Sequence, residues 1–107
     1  MIKYSDLEKI ELKVAKILDA EKIEGSKKLI KLRVSLGEEE RQIIAGIGKV
    51  YAPENLINKE IIVVANLEPR QLMGQESQGM LLAAHGENGD PVILTPEKET
   101  PPGSQIS

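Results

Sequence analysis

The chain has 107 residues, of which 40% are hydrophobic and 29% are charged, and its formal net charge is −3. These proportions indicate one folded domain, residues 1–107, and argue against a disordered chain. Because the chain has no cysteine and only one histidine, a disulfide framework and a zinc site built from this chain alone are excluded, and neither a metal nor a cofactor is expected.

The amino-terminal residues 1–13, MIKYSDLEKIELK, contain a short helical signal. Ser5 has the side chain of an N-cap, and Glu8 follows it at the spacing of a capping box. The segment has neither an apolar signal core nor a small-residue cleavage site, and no apolar run in the chain reaches the roughly 18 residues of a membrane span. We therefore expect a cytoplasmic protein without a membrane partner.

Three strands are predicted next, at about residues 10–23, 27–36 and 41–47. The second strand alternates, so one face is apolar and the other presents Lys31 and Arg33 together with Leu29 and Ser35. The apolar face consists of Ile30, Leu32, Val34 and Leu36. A solvated strand face is the simpler interpretation of such a cluster, although two cations that point outward together are also suited to an anionic ligand.

The second half of the chain resumes the strand pattern after Pro53 and a brief helical signal. Residues 60–67, EIIVVANL, are apolar on both faces, as in a barrel strand. A polar stretch, residues 66–79, then leads into GMLLAA, residues 79–84, which predicts another strand. The Asn88-Gly89 pair predicts a turn before a short strand at residues 92–96 and a Pro-rich tail.

This element order predicts a mainly all-β fold, a five-stranded OB-fold Greek-key barrel at about residues 8–85. Short helical turns and a small carboxy-terminal β extension, about residues 86–107, complete it. In OB folds, ligands lie on strands 2 and 3 and between the loops that join strands 1–2 and 4–5. Here these are the short loop, residues 24–28, and the long loop, residues 66–79. A polar loop can also be only a connection.

Residues 66–84, NLEPRQLMGQESQGMLLAA, resemble a known family. The family is the tRNA-binding domain of methionyl-tRNA synthetases, of endothelial monocyte-activating polypeptides and of free-standing tRNA-binding proteins. The most specific matches are Asn66, Pro69, Gly74, Ser77, Gly79 and Met80. In residues 23–29, IEGSKKL, only the Lys28-Leu29 end matches the family's HPDADKL pattern.

The resemblance implies a tRNA-binding OB barrel that forms a homodimer, with the amino-terminal turn and the carboxy-terminal segments near the interface. A free chain of this size resembles a stand-alone tRNA-binding protein or the non-catalytic beta subunit of methionyl-tRNA synthetase. A catalytic aminoacyl-tRNA synthetase subunit is therefore a candidate partner, beside tRNA itself.

The candidate RNA-binding residues lie in the two loops and on the second strand. Five cations suit phosphates, three polar side chains suit ribose hydroxyls, phosphates or base edges, and one thioether suits a base or sugar. In that order they are Lys27, Lys28, Lys31, Arg33 and Arg70, then Asn66, Ser77 and Gln78, and finally Met80. Met80 is also consistent with a core position, and Asn66 with a side chain that ties down the loop backbone.

The scarcity of aromatic residues decides between kinds of RNA. The chain has no Trp or Phe and only two tyrosines, so a stacking platform for single strands is not available. We therefore predict structure-selective, largely sequence-independent binding of folded tRNA through its backbone.

Three other functions compete with this prediction. A dimeric export-type chaperone resembles the same domain but binds unfolded polypeptide, and it tends to lose the SQGM portion that this chain retains at residues 77–80. A purely structural assembly module for synthetases is another alternative. Catalysis is not expected, because Ser77 and His85 lack a nucleophile-elbow motif and an acid that orients the histidine.

Overall fold

A computed structural model describes all residues from Met1 to Ser107 and shows a mainly β chain built around one barrel-like sheet. Helix α1 spans Tyr4–Leu7, and two 3₁₀ turns span Pro53–Asn55 and Glu87–Gly89. None of these helical segments has the length and apolar character needed to cross a membrane. The strands are β1 (Leu12–Lys22), β2 (Ile30–Ser35), β3 (Glu40–Ala45), β4 (Glu60–Val64), β5 (Arg70–Leu72), β6 (Gln75–Ser77), β7 (Met80–Leu81), β8 (Ala83–His85), β9 (Pro91–Ile93) and β10 (Gln105–Ile106).

The barrel consists of five antiparallel strands in the order β3-β2-β1-β4-β7. Strand β1 pairs with β4 through its first half and with β2 through its second half. The register of the β1–β2 pair shifts between Ile17 and Asp19, and a bulge of this kind bends a strand and increases its twist. The bend allows the long strand β1 to pair with both β4 and β2. The resulting sheet is nearly closed, which confirms the predicted OB-type fold.

Alternation along β2 decides which side chains enter the core. Ile30, Leu32 and Val34 are each fully buried, and Leu36 beyond the strand end is also buried, so the predicted inward face is confirmed. Leu56, which follows the first 3₁₀ turn, is fully buried in the same cluster. The helical interruption between β3 and β4 therefore contributes a core side chain as well as a connection.

Helix α1 begins before the predicted position. The N-cap is Lys3, and the carboxylate of Asp6 accepts a hydrogen bond from the Lys3 backbone N–H at 3.0 Å. The prediction of Ser5 as N-cap with Glu8 as its partner is therefore wrong, because Asp6 forms the return half of the capping pattern from inside the first turn. Ser5 lies within the helix and is exposed.

The predicted strand at residues 79–84 is divided between two sheets. Strand β7 pairs with β4, whereas β8 pairs with β9 in a separate hairpin. Between them, the Leu82 N–H still donates to Ile62 O at 2.9 Å, so the chain leaves the barrel immediately after this residue. The hairpin turn lies at the predicted place, with Asn88 and Gly89 at φ angles of 62° and 77°. Strand β10 returns to pair with the start of β1.

Candidate nucleic-acid interface

The outward surface of β1, β2 and β3, called here the strand face, carries side chains of both charges. Lys31 and Arg33 point away from the core, as predicted. A polar cavity of about 340 Å³ lies over this face, with three acidic and three basic side chains in its lining. The lining residues are Asp19, Glu21, Lys31, Leu32, Arg33, Glu40, Arg41 and Gln42.

Both predicted cations of the strand face are paired with glutamates on neighbouring strands. The Lys31 Nζ lies 2.8 Å from Glu21 Oε1 on β1, and the Arg33 Nη1 lies 2.7 Å from Glu40 Oε1 on β3. The strand face is therefore electrically balanced rather than cationic. The sequence does not reveal these pairs, because they depend on the register between strands.

The short loop, in contrast, carries unpaired cations. Lys27 and Lys28 are exposed, and neither forms a salt bridge. The hydroxyl of Ser26 accepts hydrogen bonds from the backbone N–H groups of Lys28 at 3.3 Å and Leu29 at 3.0 Å. The loop backbone is therefore held in a turn that leaves both lysine side chains in solvent.

A third lysine, absent from the sequence prediction, joins this region. The Gly48 N–H donates to Lys28 O at 2.7 Å, and a Cβ atom at Gly48 would lie only 2.9 Å from that oxygen. The segment after β3 therefore packs directly on the short loop and brings Lys49, which is exposed and unpaired, beside it. We call Lys27, Lys28 and Lys49 the loop lysines. In the sequence, Gly48 is the residue that could have indicated this close approach.

The long loop contains a β-hairpin that the sequence does not indicate. Strands β5 and β6 pair with Arg70 opposite Ser77 and Leu72 opposite Gln75. Only Met73 and Gly74 remain as the turn, with φ angles of 49° and 77°. Positive φ at both turn residues is typical of a type I′ turn, whose twist matches that of the flanking strands. The central part of the long loop is therefore ordered by its own pairing.

The tip of this hairpin contacts the short loop. The Met73 methyl carbon lies 3.4 Å from the position that a Cβ atom would occupy on Gly25. Gly25 has a φ angle of 86°, so the short loop turns sharply at the point of contact. The two loops between which ligands lie in OB folds are therefore in contact here.

Arg70 of the long loop and Met80 of β7 lie together on the surface. Both are exposed, and the Arg70 Nη1 lies 4.0 Å from Met80 Sδ. Met80 retains 38% of its exposure, so the core alternative for this residue is not observed. Arg70 forms no salt bridge and remains available to an anion.

Ser77 is buried against β3 and does not face solvent. It retains only 3% of its exposure, and its hydroxyl accepts a hydrogen bond from the Ile44 N–H at 2.9 Å. The same hydroxyl donates to Gly79 O at 2.8 Å. Ser77 therefore does not present its hydroxyl to a ligand, contrary to the predicted direct contact. It forms no hydrogen bond with His85, which is exposed on β8.

Gln78 is also hydrogen-bonded to β3. Its backbone N–H donates to Gln42 O at 2.8 Å, and its side-chain Oε1 accepts from the Gln42 N–H at 3.2 Å. The Gln42 side chain in turn donates to Glu76 O at 2.9 Å. Gln78 is exposed, but its amide is engaged within the protein, and the root of the long loop is attached to the edge of β3 by these bonds.

Asn66 connects the start of the long loop to the amino-terminal segment. Its Oδ1 accepts from the Glu11 N–H at 2.8 Å, and its Nδ2 donates to Lys9 O at 2.7 Å. The Ala65 N–H adds a bond to Glu11 O at 2.8 Å. Both ends of the Asn66 amide are thus used, and the residue holds a distant segment rather than only its own loop.

Comparisons with known proteins agree with this architecture. A family model described as "Putative tRNA binding domain" matches residues 12–105. The chain belongs to this tRNA-binding domain family. A methionine–tRNA ligase of Caldanaerobacter subterraneus subsp. tengcongensis is 58% identical over 106 residues, which cover 99% of this chain and 16% of the ligase. The chain therefore spans about a sixth of the length of that relative.

Two solved structures extend the comparison to whole chains of similar size. A MetRS related protein from Pyrococcus horikoshii superposes with a TM-score of 0.94 at 40% identity, covering 100% of this tRNA-binding domain and 98% of that protein. The chaperone CsaA of Bacillus anthracis superposes with a TM-score of 0.91 at 33% identity, covering 100% and 99%. The tRNA-binding domain fold is therefore shared by a MetRS related protein and by a protein named as a chaperone.

Proposed function

We propose that this tRNA-binding domain holds folded tRNA through its phosphate backbone, in a structure-selective and largely sequence-independent manner. The observation that carries the proposal is the group of loop lysines, exposed and unpaired, at the junction where the short loop meets the long-loop hairpin. Unpaired cations at a ligand-gripping junction suit phosphates, which carry no sequence information. Arg70, exposed and unpaired on the long loop, adds a further cation.

The long loop is ordered before RNA binds, which explains how a small number of cations can hold the RNA. Ser77, Gln78 and Asn66 hold the long loop to the barrel and to the amino-terminal segment before any ligand arrives. An ordered loop loses less conformational entropy on binding than a mobile one. We assign these three residues to loop positioning, and we assign direct contacts with RNA to the loop lysines, Arg70 and Met80. Lys31 and Arg33 contribute once their glutamate partners are displaced.

A homodimer is part of the proposal. The amino-terminal turn and the carboxy-terminal end form a groove of about 310 Å³ in which most lining side chains are apolar. Tyr4, Leu7 and Ile10 remain 73%, 43% and 45% exposed there. A second copy of the chain that covers this groove would remove them from water and would double the cationic contacts with one RNA.

The proposed dimer is tested by placing a charge in the groove. Leu7→Glu should shift the chain toward monomer in sedimentation velocity, and tRNA affinity should fall with it. Ile57→Glu is the matched control, because Ile57 is 41% exposed, close to the 43% of Leu7, but lies outside the groove. A wild-type chain that is monomeric at every concentration would contradict the dimer.

We also propose that the chain is a non-catalytic module of the cytoplasm that acts beside a methionyl-tRNA synthetase catalytic subunit. The support is the extent of the similarity, since nearly all of this chain matches a segment that makes up 16% of the ligase relative. Tethering a tRNA-binding module to a synthetase raises the local concentration of tRNA without new chemistry. Co-purification of the chain with a catalytic subunit, and a lower KM for tRNA in its presence, would support this role.

The second candidate function is binding of unfolded polypeptide. The likeness to the CsaA chaperone favours it, and so does the exposed apolar groove at the amino terminus. The loop lysines and the intact residues 77–80 favour RNA instead.

One experiment separates the two functions. The purified chain is titrated with total tRNA and with a reduced, unfolded polypeptide across a salt series. We expect tRNA binding in the micromolar range that weakens with salt by roughly 0.7 to 0.9 log unit per log unit of salt for each phosphate neutralised. Salt-insensitive polypeptide binding without tRNA retention would overturn the RNA function and support the chaperone.

A further inference from the structure

We propose that Glu21 and Glu40 are specificity-determining residues of the nucleic-acid surface. Their ion pairs neutralise Lys31 and Arg33, so that the strand face does not retain a polyanion unless the loop lysines hold it as well. This inference rests on the proposed function, because it divides the proposed tRNA surface into two parts. The loop lysines are free to bind phosphates, whereas Lys31 and Arg33 are already paired with glutamates.

The geometry of the two ion pairs shows that both cations are already in contact with a carboxylate. Glu21 Oε1 lies 2.8 Å from Lys31 Nζ, and Glu40 Oε1 lies 2.7 Å from Arg33 Nη1. The carboxylates therefore occupy the contact distance at which a phosphate oxygen would lie. A phosphate must displace a carboxylate that is already in place, and Asp19 adds a third negative charge to the same cavity.

Stability is a weak explanation for these pairs. The side chains of Arg33 and Glu40 are 54% and 55% exposed, and those of Lys31 and Glu21 are 32% and 60% exposed. Ion pairs at this exposure are screened by water and salt and contribute little to folding. Their clear consequence is electrical, because they reduce the attraction of the strand face for anions.

The loop lysines are the unpaired part of the nucleic-acid surface. They lie at the short loop, from which β2 leads directly onto the strand face, and they have no acidic partners. A ligand bound there presents further phosphates to Lys31 and Arg33 at high effective concentration. Binding therefore requires a ligand that reaches both regions, which a rigid folded RNA does when its phosphates are suitably spaced. Rejection of other polyanions comes from the glutamates.

The test is a rescue experiment. Lys27→Gln/Lys28→Gln should lose most retention of tRNA, because the exposed lysines are removed. Adding Glu21→Gln/Glu40→Gln to this variant should restore retention, by about twofold to fivefold for each glutamate replaced. The restored tRNA binding should depend on salt by roughly 0.7 to 0.9 log unit per phosphate engaged.

The control variant removes the same number of negative charges at a different place on the surface. Glu87→Gln/Glu97→Gln alters two exposed glutamates that do not line the strand-face cavity, and it should not restore retention. Thermal melts of all variants verify folding, and glutamine preserves the shape of each glutamate. Equal retention with and without the Glu21 and Glu40 changes, or equal rescue by the control, would overturn the inference.

Heparin keeps this test distinct from that of the proposed function. If the wild-type chain binds no tRNA but heparin retention rises in the Glu21→Gln/Glu40→Gln variant, the tRNA function fails and the masking of the strand face stands. If the wild-type chain binds tRNA and neither ligand responds to the glutamates, the masking fails alone.

Discussion

The side-chain Oδ1 of Asn66 accepts a hydrogen bond from the backbone N–H of Glu11 at 2.8 Å, across 55 positions of sequence. The same amide donates to Lys9 O at 2.7 Å, so a single side chain joins the long loop to the segment between α1 and β1. The proposed dimer groove and the proposed RNA loop therefore share one structural connection.

Replacement of Asn66 should weaken this connection. We expect Asn66→Ala to lower the free energy of unfolding by about 1 to 3 kcal/mol, since two hydrogen bonds are lost at about 0.5 to 1.5 kcal/mol each. Urea denaturation measures the change. Asn55→Ala is the control, because the Asn55 side chain is exposed and makes no hydrogen bond. Equal effects of the two substitutions would show that the Asn66 bonds do not persist in solution.

Ser77→Ala removes only one hydroxyl group, but it should lower the free energy of unfolding substantially. The Ile44 N–H would lose its only side-chain acceptor in a buried place, and an unsatisfied buried donor costs about 1 to 3 kcal/mol. We also expect weaker tRNA binding, because the long loop loses an attachment to β3. Chemical denaturation and tRNA titration of the same variant measure both effects. Unchanged stability would refute the structural role of this hydroxyl.

Ser5→Ala tests the start of helix α1. Ser5 lies inside the helix, and the cap bond runs from the Lys3 N–H to Asp6, so alanine should leave stability within about 0.5 kcal/mol of the wild type. Loss of an N-cap would instead cost about 0.5 to 2 kcal/mol. A thermal melt of Ser5→Ala beside Asp6→Ala decides, since only the aspartate variant should be destabilised.

Two glycines of the long loop should respond differently to alanine. Gly79 has a φ angle of 120°, and a Cβ atom there would lie 2.8 Å from Val64 O, so Gly79→Ala combines backbone strain with a clash. Gly74 has a φ angle of 77° and open space around it, so Gly74→Ala should cost only about 1 to 2 kcal/mol. Denaturation midpoints should therefore rank wild type, Gly74→Ala and Gly79→Ala in descending order. The reverse order for the two variants would contradict the packing of Gly79.

The barrel could be predicted from the sequence because its signals are local. Alternation along β2 specifies buried Ile30 and Leu32 beside exposed Arg33 without knowledge of any partner strand. The Asn88-Gly89 turn is also local, and it lies where the sequence places it.

The missing parts depend on contacts between distant residues. The pairs of Lys31 with Glu21 and of Arg33 with Glu40 need the register of three strands, which alternation does not supply. The sequence does not indicate the β5–β6 hairpin, because its turn uses Met73 at positive φ, where Asn or Asp is the usual signal. It does not indicate the hydrogen bond between Asn66 and Glu11 either, because the two residues are 55 positions apart.

The location of tRNA binding at the loop lysines is tested most directly by comparing two charge-matched variants across a salt series. Lys27→Gln/Lys28→Gln removes two loop lysines, and Lys59→Gln/Lys98→Gln removes two lysines that line a different polar cavity. We expect the first variant to bind every tRNA species more weakly by a similar factor, with the salt slope reduced by roughly 0.7 to 0.9 for each lysine. The second should bind nearly as the wild type does. Equal losses in both variants, or loss for one tRNA species alone, would contradict phosphate binding at this site.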